Sequence, residues 1–139
     1  MDEAERSEHY DLALVEQTCL DFGLPYSRVC DFEIEVTVAP NMKLIVGNTE
    51  DETDTYFGFR NVPSHAHGSL VLMTGDTTYV EYSPAEALLN LVTGDVVVVT
   101  TYSGGRLKDR SLAHRDGKMD LRYIGPDEEI RIYRLPEQT

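Results

Sequence analysis

The chain has 139 residues and carries 25 acidic against 12 basic side chains, a formal net charge of −13. A chain of this length buries a sizeable core without needing a metal or a disulfide framework, and so negative a field repels nucleic acid and anionic membrane surfaces. The charged opening MDEAERSEHY has no signal-peptide core and no window approaches the roughly 20 apolar residues that span a bilayer, which predicts a soluble, cytoplasmic protein.

In chain order, the first predicted element is an amphipathic helix in SEHYDLALVEQTCLDFG, with Leu12, Val15, Cys19 and Phe22 at helical spacing and Gly23 as terminator. DFEIEVTVAP then alternates Phe32, Ile34, Val36 and Val38 against Glu33, Glu35 and Thr37, the period-2 pattern of a strand with one buried face. KLIVGN and TYFGFRNV read as the two arms of a hairpin, with the acidic stretch TEDETD between them. SLVLM and TTYVEY flank the turn signal Thr74-Gly75-Asp76 and predict a second hairpin.

SPAEALLNLVTG carries a full helix grammar, with Ser83 as N-cap, Pro84 in the first helical position, Glu86 closing a capping box and Gly94 as stop. Leu88, Leu89, Leu91 and Val92 supply its apolar side. From DVVVVTTY onward, Ser103-Gly104-Gly105, Asp116-Gly117 and Gly125-Pro126-Asp127 separate four strand-like runs, which predicts an antiparallel meander. The order of helix, about five strands, helix and about four strands predicts one α+β domain over residues 1–139. Its sheet should be mainly antiparallel, of about eight or nine short strands, with an N-terminal helix and a short central helix.

The charge is uneven. Residues 1–99 hold 18 acids and 4 bases, net −14, whereas residues 100–139 hold 7 acids and 8 bases, net +1. An excess of Arg (9) over Lys (3) beside abundant acids also suits a salt-adapted host, but that explains an average and not a cluster. The cluster is Glu50, Asp51, Glu52 and Asp54, with Tyr56 beside it on the following arm. Its spacing does not fit a calcium loop, because counting from Asn48 puts Thr53 at the sixth position and Phe59 at the twelfth. These five residues are the candidate contact surface for a basic partner.

Other chemistry is sparse. His65 and His67 would point to one side of an extended segment, but a third metal ligand is missing nearby, as is the downstream Glu of a cupin pattern, so no metal or cofactor is expected. No Ser or Cys lies in a nucleophile motif, so no catalytic residue is assigned. Arg106, Lys108 and Arg110 have strand spacing after a glycine turn, which would aim three cations at one face. Cys19 and Cys30, without CxxC spacing, read as two buried apolar side chains rather than a disulfide.

The chain resembles immunity and antitoxin-type inhibitors in size, acidity and α+β make-up, which implies a non-enzymatic protein that docks a basic protein partner such as a toxin active site. A secretion-chaperone-like protein has a similar profile, although the strand-rich segment after Gly94 departs from it. The alternative from a different class is a small His-dependent enzyme or metal-binding protein using His65 and His67.

Overall fold

The computed structural model describes residues 10–49, 54–75, 77–117 and 126–135. Helix α1 (Leu12–Phe22) starts at Asp11, whose side chain accepts the Leu14 N–H, and stops at Gly23, whose φ of 69° is a left-handed conformation open to glycine. Leu12, Val15 and Cys19 are buried as the periodicity requires, but Phe22 is 45 % exposed. The cap explains the exchange: the Leu24 N–H reaches back to the Cys19 carbonyl at 2.9 Å, and Leu24 takes the core position instead.

Strands β1 (Tyr26–Cys30), β2 (Glu33–Ala39), β3 (Met42–Asn48), β4 (Thr55–Phe59) and β5 (His65–Ala66) form one antiparallel sheet in sequential order. The alternation of β2 sets the buried face. Ile34 faces Val46, Val36 faces Leu44, and these in turn face Phe57 and Phe59, all of them buried. On the other face Arg60 lies against Glu35 at 2.7 Å and Glu33 at 3.6 Å, and Lys43 donates to Thr37. β1 is an edge strand, largely exposed, with no alternation that would have marked it in the sequence. Its exposure includes Cys30, so of the two cysteines expected in the core only Cys19 is there, and both thiols are free.

β6 (Leu70–Met73) and β7 (Tyr79–Tyr82) pair as the expected hairpin, with Leu70 opposite Tyr82; Asp76 of its turn lies outside the described residues. Helix α2 (Pro84–Thr93) has the capping box in full: Ser83 accepts the Glu86 N–H, and Glu86 Oε1 accepts the Ser83 N–H at 2.8 Å. Leu88 and Leu91 are fully buried, whereas Leu89, also expected on the apolar side, is 38 % exposed. Gly94 ends the helix with φ 92°.

β8 (Val96–Ser103), β9 (Arg106–His114) and β10 (Glu128–Tyr133) make a three-stranded antiparallel sheet in the order β10-β8-β9. The expected meander is therefore overturned: the chain passes from β9 to the far edge of β8, which becomes the central strand. Val96 to Val99 are buried on both faces of β8, which is why that strand reads as a continuous apolar run. The strand-like run predicted over 118–124 lies outside the described residues.

One hydrophobic core joins these parts: Leu12, Val15 and Cys19 of α1, Leu88 and Leu91 of α2, Phe57 and Phe59 of β4, Leu72 of β6 and Val96 and Val98 of β8 belong to a single buried cluster. Helix α1 packs against α2 and β2, and α2 packs against β7 and β8. The molecule is an α+β fold with mainly antiparallel sheets, an N-terminal helix and a central helix, and ten strands among the described residues. Among those residues no helix is long and apolar enough to cross a membrane.

Candidate functional site

Two neighbouring features sit at the ends of the β3–β4 hairpin. The first is a groove of about 540 Å³ lined by Tyr10, Asp11, Leu12, Arg28, Asp31, Phe32 and Asn48. Asn48, the last residue of β3, builds it by clamping the chain just before α1: its carbonyl oxygen accepts the Tyr10 N–H at 2.8 Å and its amide donates to the Tyr10 carbonyl at 3.1 Å. Tyr10 is thereby buried, donates its hydroxyl to the Gly68 carbonyl at 2.6 Å, and meets the Phe57 ring edge-on. Asp11 and Asp31 bring two carboxylates to the groove, and the acidic segment leaves β3 immediately after Asn48.

Arg28 also lines the groove, but its charge is engaged: Nη2 lies 3.1 Å from Glu16 Oε1, and Nη1 donates to the Asp31 carbonyl. The Asp11 side chain caps α1 by accepting the Leu14 N–H, and the Asp31 carboxylate has no ion pair or hydrogen bond among the described residues. The groove is thus negative on balance, with Phe32 beside the charges. This is the chemistry that receives a guanidinium or an ammonium on an aliphatic stem.

The second feature gathers Asp54, Tyr56, His65 and His67 on the β4–β5 pair. Asp54 Oδ1 accepts the Thr55 N–H at 2.8 Å and lies 3.2 Å from His67 Nδ1, which also donates to the Thr55 carbonyl. Tyr56 stacks on His65 with ring centroids 4.8 Å apart and planes 19° from parallel. The two imidazole rings meet edge to face, with their Nε2 atoms 3.1 Å apart. Gly58 makes this possible. It pairs with His65, and a Cβ there would fall 2.7 Å from His65 Cβ and 2.8 Å from the Ser64 carbonyl, so only glycine lets β5 lie this close to β4.

Of the five candidate contact residues, Asp54 and Tyr56 are placed here, at the foot of the loop; Glu50, Asp51 and Glu52 lie outside the described residues. The loop base is closed by Thr49, whose N–H donates to the Asp54 carbonyl at 2.9 Å. The second candidate cluster is not brought together. Ser103 pairs with Arg106 and Tyr102 with Leu107, but Thr101 pairs with Asp109 and Thr100 with Arg110, so Lys108 is an inserted residue and the alternation flips across it. Arg106 and Lys108 are exposed and Lys108 pairs with Glu128, whereas Arg110 is 6 % exposed. There it donates to Thr100 Oγ1 and the Asn41 carbonyl and lies over the Phe59 ring. The expected face of three cations is replaced by one buried guanidinium and two surface charges.

Sequence reasoning missed Tyr10, Asp11, Asp31, Phe32 and Asn48 as a group because they come from three distant segments; the one local signal was the surplus of acids over bases in the first half of the chain. No protein-family model, curated protein or solved structure matches the chain.

Proposed function

We infer that this protein is an acidic, non-enzymatic docking module of the cytoplasm, which receives a basic segment of a protein partner in the manner of an immunity or antitoxin-type inhibitor. The observation that carries the reading is the groove beside Asn48, in which Asp11 and Asp31 present carboxylates that Arg28 does not neutralise, next to the acidic segment that begins at the groove's rim. The cations of the second half support it. Lys108 and Arg131 are each held by a carboxylate from residues 100–139 and Arg110 is buried, so these three leave the charge of residues 1–99 available, whereas Arg115 pairs with Asp95. A partner's Arg or Lys would enter the groove head first, its stem beside Phe32, while the loop acids speed the encounter from a distance.

The test uses a nona-arginine peptide as probe, with binding kinetics followed over a salt series for wild type, Asp31→Asn, and a variant with Glu50, Asp51, Glu52 and Asp54 changed to Gln and Asn. The expected result is binding that weakens steeply with salt. The loop variant should lose on-rate, and Asp31→Asn should raise the off-rate by the equivalent of about 2 kcal/mol or more, because it removes a charge in direct contact. Rates unchanged in both variants at every salt concentration would sink the reading.

A further inference from the structure

We propose that His65 and His67 form a two-imidazole chelate for a first-row divalent metal ion of the copper, nickel and zinc group. His65 Nδ1 is 2.8 Å from the Pro63 carbonyl oxygen, and His67 Nδ1 contacts the Thr55 carbonyl and, at 3.2 Å, the Asp54 carboxylate. A carbonyl and a carboxylate can only accept, so each Nδ1 carries its hydrogen, and the lone pair of each neutral ring lies on Nε2. Those two Nε2 atoms are the pair that converge at 3.1 Å. Two lone pairs at that separation repel unless something positive sits against both.

A metal ion satisfies the geometry. With metal–nitrogen bonds of about 2.0–2.1 Å, two nitrogens 3.1 Å apart subtend an angle at the ion between the right angle of square-planar coordination and the tetrahedral angle. The ring orientation is set as metal-binding histidines usually have it, with the distal N–H donated to a carbonyl or carboxylate that raises the basicity of the ligating nitrogen. Asp54 plays that outer role for His67 and is itself held by the Thr55 N–H. Both imidazoles are solvent-exposed, so the ion has a path in, and the strongly negative chain attracts cations.

No third His, Cys, Asp or Glu completes a ligand group among the described residues, so the remaining coordination positions are left to water or to a donor atom of a bound molecule. The site is therefore a weaker chelate than a closed structural zinc centre and has open positions for exchange. Protons compete for the same two nitrogens, with Asp54 and Tyr56 as the titratable neighbours in contact with the rings.

The experiment is calorimetric titration of the full chain with CuCl2, NiCl2 and ZnCl2, each in a non-coordinating buffer near pH 7.5, with electron paramagnetic resonance of the copper form. The expected result is one ion per chain for at least one metal, with copper spectra showing two imidazole nitrogens. His65→Ala and His67→Ala should each weaken binding at least tenfold, and Asp54→Asn, which keeps both ligands, roughly tenfold. His114→Gln should leave it unchanged, and circular dichroism should show every variant folded. Failure of all three metals to saturate near one equivalent overturns the proposal. So does saturation indifferent to His65 and His67, or a ring pair that titrates as one shared proton and takes up no metal. Asp31→Asn, which strikes the docking groove, should not change metal binding, so the two readings fail separately.

Discussion

The two cysteines show how one residue type takes opposite roles from its surroundings. Cys19 is fully buried on the core face of α1, and burial, with the nearby Glu16 charge adding to it, pushes its thiol up to about 11. Cys30 stands exposed on the edge strand β1. Because the thiolate is the reactive form, native protein at pH 8 should label one thiol rapidly with a maleimide, at Cys30, and the second only after unfolding. Peptide mass mapping after timed labelling checks this, and rapid modification of Cys19 in the native state contradicts it. The sign of the pH effect follows: the folded thiol holds its proton more tightly than the unfolded one, so this contribution to stability is complete below pH 9 and is lost as the pH rises through about 11. Denaturant midpoints of Cys19→Ala should fall less over that interval than those of wild type.

At the scale of elements, the close approach of β5 to β4 governs the histidine cluster. Gly58→Ala places a methyl group 2.8 Å from the Ser64 carbonyl, and because that neighbour is backbone it must move as a unit. The expected cost is about 1–3 kcal/mol in chemical denaturation, typical of overpacking, together with weaker metal binding because His65 shifts with its strand. A Gly58→Ala protein with an unchanged denaturation midpoint would show that β5 yields freely. The inserted residue Lys108 is the other decisive local device. It turns Arg110 toward the core, where two hydrogen bonds and the Phe59 ring replace part of its hydration, while Arg106 stays outside. Strand spacing alone had put both on one face, and a one-residue bulge cannot be seen in spacing.

For the whole molecule, a net charge of −13 could mean a chain that needs concentrated salt to fold. The core argues otherwise. Both helices and all three sheets contribute to one apolar cluster, and the surface ion pairs such as Arg28–Glu16 and Arg60–Glu35 each contribute about 0–1 kcal/mol at most. The protein should therefore melt cooperatively in dilute buffer. Its stability should rise with salt only to a few tenths molar, where the Debye length is about 5 Å and self-repulsion is largely screened. Thermal melts over a sodium chloride series test this, and a chain that folds only near molar salt would transfer its acidity from partner docking to host adaptation.

The central helix could be read from the sequence to within a residue or two because capping is a local affair: Ser83, Glu86 and Gly94 act on backbone groups within five positions of themselves. For α1, Gly23 marked the stop in the same way, but the start set by the Asp11 cap was not read, the predicted helical stretch beginning at Ser7 instead. The alternation of β2 and the two hairpins were equally legible, since period and turn residues are short-range signals, and so was the surplus of negative charge. Edge strand β1, the passage of β10 to the far side of β8 and the inward turn of Arg110 were not, because each depends on which strand lies beside which. The site divides the same way. Asp54, Tyr56, His65 and His67 were each visible as residues of interest. Only the β4–β5 pairing across Gly58 brings them into one cluster, and only the hydrogen bonds between Asn48 and Tyr10, just before α1, gather Asp11, Asp31 and Asn48 around a groove. Contacts between distant segments are settled by how the core closes, and no window of sequence contains that information.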